Sequence, residues 1–84
     1  MHSSPPPHLV TIRDTMIRLG QFLKLASLAE SGAHARDLIE DDNVYVNGEL
    51  EKRRGRQLIH GDIVTVTTPQ TSLSAQVITP AGPH

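Results

Sequence analysis

Four of the chain's eight basic residues stand within five positions, in the run Lys52-Arg53-Arg54-Gly55-Arg56. A guanidinium presents a planar fork of N–H donors that matches two oxygens of a phosphate, and a lysine adds a compact point charge. Gly55 gives the run a joint, so that the flanking side chains can follow a curved polyanion. Residues of these types at this spacing suit the binding of a phosphate backbone rather than bond-making chemistry. The chain as a whole carries a formal charge of −1. With the four cations of the run set aside, four basic and nine acidic residues remain, or −5. Distribution, not the sum, decides whether a surface attracts an anion. The expectation is a positive ledge clear of the carboxylates. The plain alternative is a solvated run neutralised by Glu49, Glu51 and the acids at positions 40–42.

Catalytic chemistry finds little support. The histidines at positions 2, 8, 34, 60 and 84 show no H-x-x-x-H or related ligand spacing. There is no G-x-x-x-x-G-K loop to cradle a nucleotide, and no nucleophile–base set at a familiar spacing. Cysteine is absent, which excludes disulfides and thiolate metal sites. Glu40-Asp41-Asp42 reads as a solvated face. No enzyme activity, metal or cofactor is expected. No run approaches the ~20 apolar residues of a membrane span. The N-terminus lacks the features of a signal peptide. A soluble, cytoplasmic protein without a membrane partner is the expectation.

The elements that hold the basic run must come from a single small domain, since the chain has 84 residues. Aromatics make up only 2% of it, so Leu, Ile, Val and Ala must pack around Phe22. Residues 1–8, with three consecutive prolines, read as a disordered tail, and residues 80–84 as a flexible one. The domain proper is expected over 9–79. Val10–Ile12 reads as a strand. Residues 16–18 extend it, form a second strand or lead into a helix; periodicity does not decide. Leu19, Phe22, Leu23 and Ala26 share one helical face, with Gln21 and Lys24 opposite. Ser31 suits the N-cap of a second helix, whose buried stripe is Ala35, Leu38 and Ile39. Ala26 and Ala35 are small enough to let the two helices approach closely. Asp42 or Asn43 supplies the left-handed residue that ends the second helix. Val44–Val46 alternates as a strand does, and Asn47-Gly48 turns the chain back. Gly61-Asp62 is the turn before a strand at 63–66, with Val64 and Val66 on one face. Residues 75–79 add a last edge strand. The expected class is α+β, a two-helix hairpin packed on a small, mainly antiparallel sheet.

Arg18-Leu19, Ser31, Val44-Tyr45-Val46-Asn47-Gly48 and Gly61-Asp62-Ile63-Val64-Thr65-Val66, in that order, resemble the S-four RNA-binding domain family, over roughly residues 17–67. The Arg-Arg-Gly between the two strand motifs is similar to a short, stand-alone bacterial branch. The resemblance implies binding of structured RNA. The expected ligand is ribosomal or transfer RNA, bound by a monomer, with the ribosome as one platform. Matched position by position, the resemblance implies contacts from Arg18, Ser31, Arg36, Lys52, Arg53, Arg54 and Arg56. Lys24, on the exposed face of the first helix, is a further candidate at the rim of the patch by its position alone. Tyr45 is a candidate for stacking on an unpaired base. Many family members have Arg or Lys where this chain has Gly32, which shifts the load toward the basic run. Many have Gly where it has Asp42 and Asn43. Each candidate has a plain reading beside it. Arg36 can pair with Glu40, one helical turn on. Ser31 can serve only as a cap, Lys24 as a solvated lysine, and Tyr45 as cover for a sheet edge. The rival function is a protein-interaction module whose basic loop meets an acidic partner.

Overall fold

Along β6 (Ile63–Thr67) the side chains of Val64 and Val66 are buried while those between them are not, so one face of the strand meets the core. The computed structural model describes residues 6–80. Its other strands are β1 (His8–Thr11), β2 (Met16–Arg18), β3 (Val44–Val46), β4 (Glu49–Leu50), β5 (Gln57–Ile59) and β7 (Ser72–Ile78). Two helices, α1 (Leu19–Leu25) and α2 (Gly32–Glu40), fall between β2 and β3. Five strands form a sheet in the order β1-β7-β6-β3-β4. All its pairings are antiparallel except β1 with β7, which runs parallel with Val10 opposite Val77. β2 and β5 pair separately, with Ile17 opposite Leu58 and Arg18 opposite Gln57.

The class is α+β, with two helices and a mainly antiparallel sheet, as the sequence suggests. Leu19, Phe22 and Leu23 of α1 are fully buried, in one core with Ala35 and Ile39 of α2 and with Val44, Val46, Val64 and Val77 of the sheet. One alternative left open by periodicity is settled and two expectations are corrected. Residues 16–18 form a strand of their own, because a partner 41 positions away, at 57–59, supplies the ladder. The last strand starts at Ser72 and is interior, not an edge: β7 lies between β1 and β6. β1 begins at His8, inside the stretch read as a tail. Residues 1–5 and 81–84 of the two expected tails lie outside the described residues.

Both helices end in the same way. The Leu28 N–H donates to the Leu23 carbonyl and the Ser27 N–H to that of Lys24, with Ser27 at φ 60°. In α2 the Asn43 N–H donates to Leu38 and the Asp42 N–H to Ile39, with Asp42 at φ 62°. These are Schellman closures in which a non-glycine residue takes the left-handed position. Asn47 and Gly48 both have positive φ, 52° and 84°, the geometry of a tight hairpin turn whose twist matches its strands. The Asn47 side chain then accepts from the Ile63 N–H at 2.9 Å and donates to Asp62 Oδ1 at 3.0 Å. The Val-Asn-Gly and Gly-Asp turns are thus one joined unit. Among the described residues no helix is long and apolar enough to cross a membrane.

Candidate nucleic-acid interface

Between β4 and β5 the chain has no strand partner, and residues 52–56 are held by two sets of bonds. The first set comes from α1. Its N-cap, Arg18, offers no side-chain hydrogen bond, so the first amides of the helix need other acceptors. The Leu19 N–H donates to the Arg56 carbonyl at 2.8 Å, and the Gly20 N–H to the Arg54 carbonyl at 3.1 Å. The basic run therefore caps α1 through its backbone.

The second set comes from Glu51, a residue only 5% exposed. Oε2 accepts from the backbone N–H groups of Lys52 and Arg53 at 3.1 and 3.0 Å, and from Arg53 Nε at 3.0 Å. Oε1 accepts from Arg53 Nη2 at 3.3 Å and Arg56 Nη1 at 2.7 Å. The Arg53 guanidinium hydrogen bond is the leading cause that holds the Glu51 carboxyl well down, at about 2, with Arg56 adding to it against the opposing effect of burial. The Arg56 N–H closes a turn onto the Arg53 carbonyl at 3.2 Å, which places Arg54 and Gly55 at its apex. Gly55 has no positive φ, and a Cβ at its position would meet no atom within 4 Å. Its contribution is an open surface, not a special backbone conformation.

The basic run is therefore not clear of carboxylates. Lys52 Nζ lies 2.8 Å from Asp42 Oδ1, and that partner raises the lysine's pKa. Arg53 and Arg56 share Glu51. The four cations of the run, set against these two carboxylates, leave a net charge of +2. Among the described residues Arg54 has no ion-pair partner, nor do Arg18 and Lys24.

These three meet. Arg18 at the end of β2, Lys24 in the last turn of α1 and Arg54 at the loop apex line one surface concavity of about 510 Å³, together with Gly20, Gln21, Gly32 and Gly55. No carboxylate lines it. A second concavity of about 440 Å³, lined by Arg53, Gly55, Arg56 and Gln57, adjoins it across Gly55. Positive side chains thus continue around the apex on both sides of a residue with no side chain.

The other candidates fall elsewhere. Ser31 caps α2, its Oγ accepting from the His34 N–H at 3.0 Å, while His34 Nδ1 accepts from the Glu30 N–H. It directly precedes Gly32, which lines the first concavity. Arg36 does not pair with Glu40; its Nε lies 4.0 Å from Asp37 Oδ1, and it lines neither concavity. Tyr45 stands half-buried in β3 between Leu50 and Thr65 of the neighbouring strands, and it also lines neither. Sequence reasoning missed Gln21 and Gly20, and it named Glu51 only as one of several acids that could neutralise the run, not as a buried clasp on its backbone and two of its arginines. The one signal for the clasp is spacing: Glu51 stands two and five residues before the arginines it holds. Among the described residues no three His, Cys, Asp or Glu side chains gather as a metal site requires.

The family model of the S4 domain matches residues 10–73, most of the chain and all of the elements that build this loop. The chain belongs to the S4 domain family. It is 46% identical over 57 residues to the probable ribosome maturation protein RlbA of Bacillus subtilis (strain 168), covering 68% of this chain and 80% of that protein. It is 45% identical over 49 residues to the small ribosomal subunit protein uS4m of Schizosaccharomyces pombe (strain 972 / ATCC 24843), covering 58% of this chain and 15% of that protein. The matched S4 domain extends beyond the 17–67 core that the motifs mark, taking in the second half of β1 and the start of β7. S4 membership and two relatives with ribosomal names support RNA binding, in a ribosomal setting, as the class of activity.

Proposed function

We propose that this S4 domain is a non-catalytic, monomeric RNA-binding protein that seats the phosphate backbone of a structured RNA, ribosomal or transfer, on the concavity of Arg18, Lys24 and Arg54. The observation that carries the reading is the convergence of three cations from three separate elements on one surface without a lining carboxylate. Guanidinium and ammonium donors of this kind grip phosphate oxygens while the shape of the fold selects the RNA. Arg53 and Arg56, across Gly55, extend the grip at reduced net charge because Glu51 lies beneath them. The relation to a ribosome maturation protein favours ribosomal RNA as the first ligand to try.

The test is fluorescence anisotropy with a labelled ribosomal RNA hairpin at two salt concentrations. With about four phosphates engaged, affinity should fall roughly 100-fold between about 50 and 200 mM salt through counterion release. Arg18→Glu/Arg54→Glu should abolish binding with the fold intact, and Arg36→Glu should have a much smaller effect. No affinity for RNA at low salt, with binding to an acidic protein instead, would replace this reading by the protein-interaction module.

A further inference from the structure

Glu51 admits two opposite roles in RNA binding. As a carboxylate among arginines it could act as a brake, holding Arg53 and Arg56 away from phosphate and repelling the polyanion. As the acceptor of five hydrogen bonds it could act as the fixture that gives the loop its shape. The geometry separates them. Glu51 grips both shoulders of the turn, Arg53 and Arg56, and leaves only the apex free. The apex is Arg54-Gly55, and Arg54 is the loop's charged contribution to the concavity. Nothing in a β-ladder holds residues 52–56. Without the carboxylate, the Lys52 and Arg53 amides lose their acceptor, and the α1 amides at Leu19 and Gly20 face a loop fixed at one side only. The charge of Glu51 is also already outnumbered by the two guanidiniums on it.

We infer that Glu51 is a positioning residue for RNA binding, holding Arg54 in register with Arg18 and Lys24, and not an electrostatic brake. The inference rests on the RNA-binding reading above. A brake predicts tighter binding when the carboxylate is removed. A fixture predicts weaker binding, because the RNA must then order a loose loop.

The experiment measures the affinity of the same labelled ribosomal RNA hairpin for wild type, Glu51→Gln, Arg54→Ala and the double variant, with circular dichroism confirming that each is folded. Glu51→Asp, shorter by one methylene, serves as partial rescue. The expected result is binding weakened about tenfold by Glu51→Gln despite the loss of a negative charge. In the Arg54→Ala background the same change should cost little, since the side chain it positions is gone. Equal or tighter binding by Glu51→Gln overturns the inference in favour of the brake. An equal loss with and without Arg54 overturns it in favour of a general effect on the fold. Failure of wild type itself to bind RNA at low salt would refute the underlying RNA reading, and the role of Glu51 with it.

Discussion

Acid should loosen this domain at one identifiable point, the Glu51 carboxylate. In the folded chain its pKa lies at about 2, against an ordinary value of 4.5. A carboxyl whose pKa is depressed by folding stabilises the fold fully above its unfolded value. That stabilisation is lost as pH falls toward the folded value. The window here runs from about pH 5 down to pH 2. The pKa gap sets a ceiling of about 3.4 kcal/mol at neutral pH. Arg53 is three-quarters exposed, so solvent screens much of its share, and about 1–2 kcal/mol is the discounted expectation. Glu51→Gln should therefore lower the thermal midpoint of a domain of this size by about 4–8 °C for each kcal/mol lost. The decisive measurement is urea denaturation of wild type and Glu51→Gln at pH 7 and pH 3, followed by circular dichroism. Since protonation makes the wild-type carboxyl resemble the amide, the gap between the two proteins should shrink by pH 3 to roughly two-fifths of its neutral value. A gap of the same size at both pH values, or none at pH 7, would refute the reasoning.

Other perturbations follow from the packing and the caps. Phe22→Ala removes the largest fully buried side chain and should cost about 3–5 kcal/mol, a large part of the ~4–13 kcal/mol available to a domain of this length. Circular dichroism at 25 °C would show a partly unfolded population. Ser27→Gly relieves a left-handed serine at the end of α1 and should stabilise by about 0.5–1 kcal/mol in the same denaturation assay, whereas Ser27→Val should destabilise. Lys52→Gln breaks an ion pair that is exposed at both ends and should leave the urea midpoint unchanged; a shift as large as that of Glu51→Gln would contradict this.

The helices are legible in the sequence because their signals are local. The stripes of Leu19, Phe22 and Leu23 and of Ala35, Leu38 and Ile39 are the buried faces, Ser31 is the cap, and Asp42 is the left-handed stop. The turns at Asn47-Gly48 and Gly61-Asp62 are legible for the same reason, since they depend on residues that tolerate positive φ. What escapes is non-local. Nothing in Met16–Arg18 announces a partner at Gln57–Ile59, and nothing in His8–Thr11 announces a parallel neighbour at the far end of the chain. The site divides along the same line. The basic run is conspicuous, but in the sequence its charge stands as an undivided block. Which of its members stay unpaired depends on where Asp42 and Glu51 fall in space. That leaves Arg54 as the run's cation in the concavity, beside two that the run does not contain.

The placement of β7 between β1 and β6 bears on how the domain forms during translation. A nascent chain that has emerged only as far as Thr67 can close the helical hairpin and pair β3 with β4 and β6, but its first strand has no neighbour to join. Val10 must wait, through the synthesis of both helices and of β2 to β6, for Val77 to arrive beside it. Completion of the sheet is thus reserved for β7, and a chain halted before it would expose the flank of β6 as a ready template for aggregation.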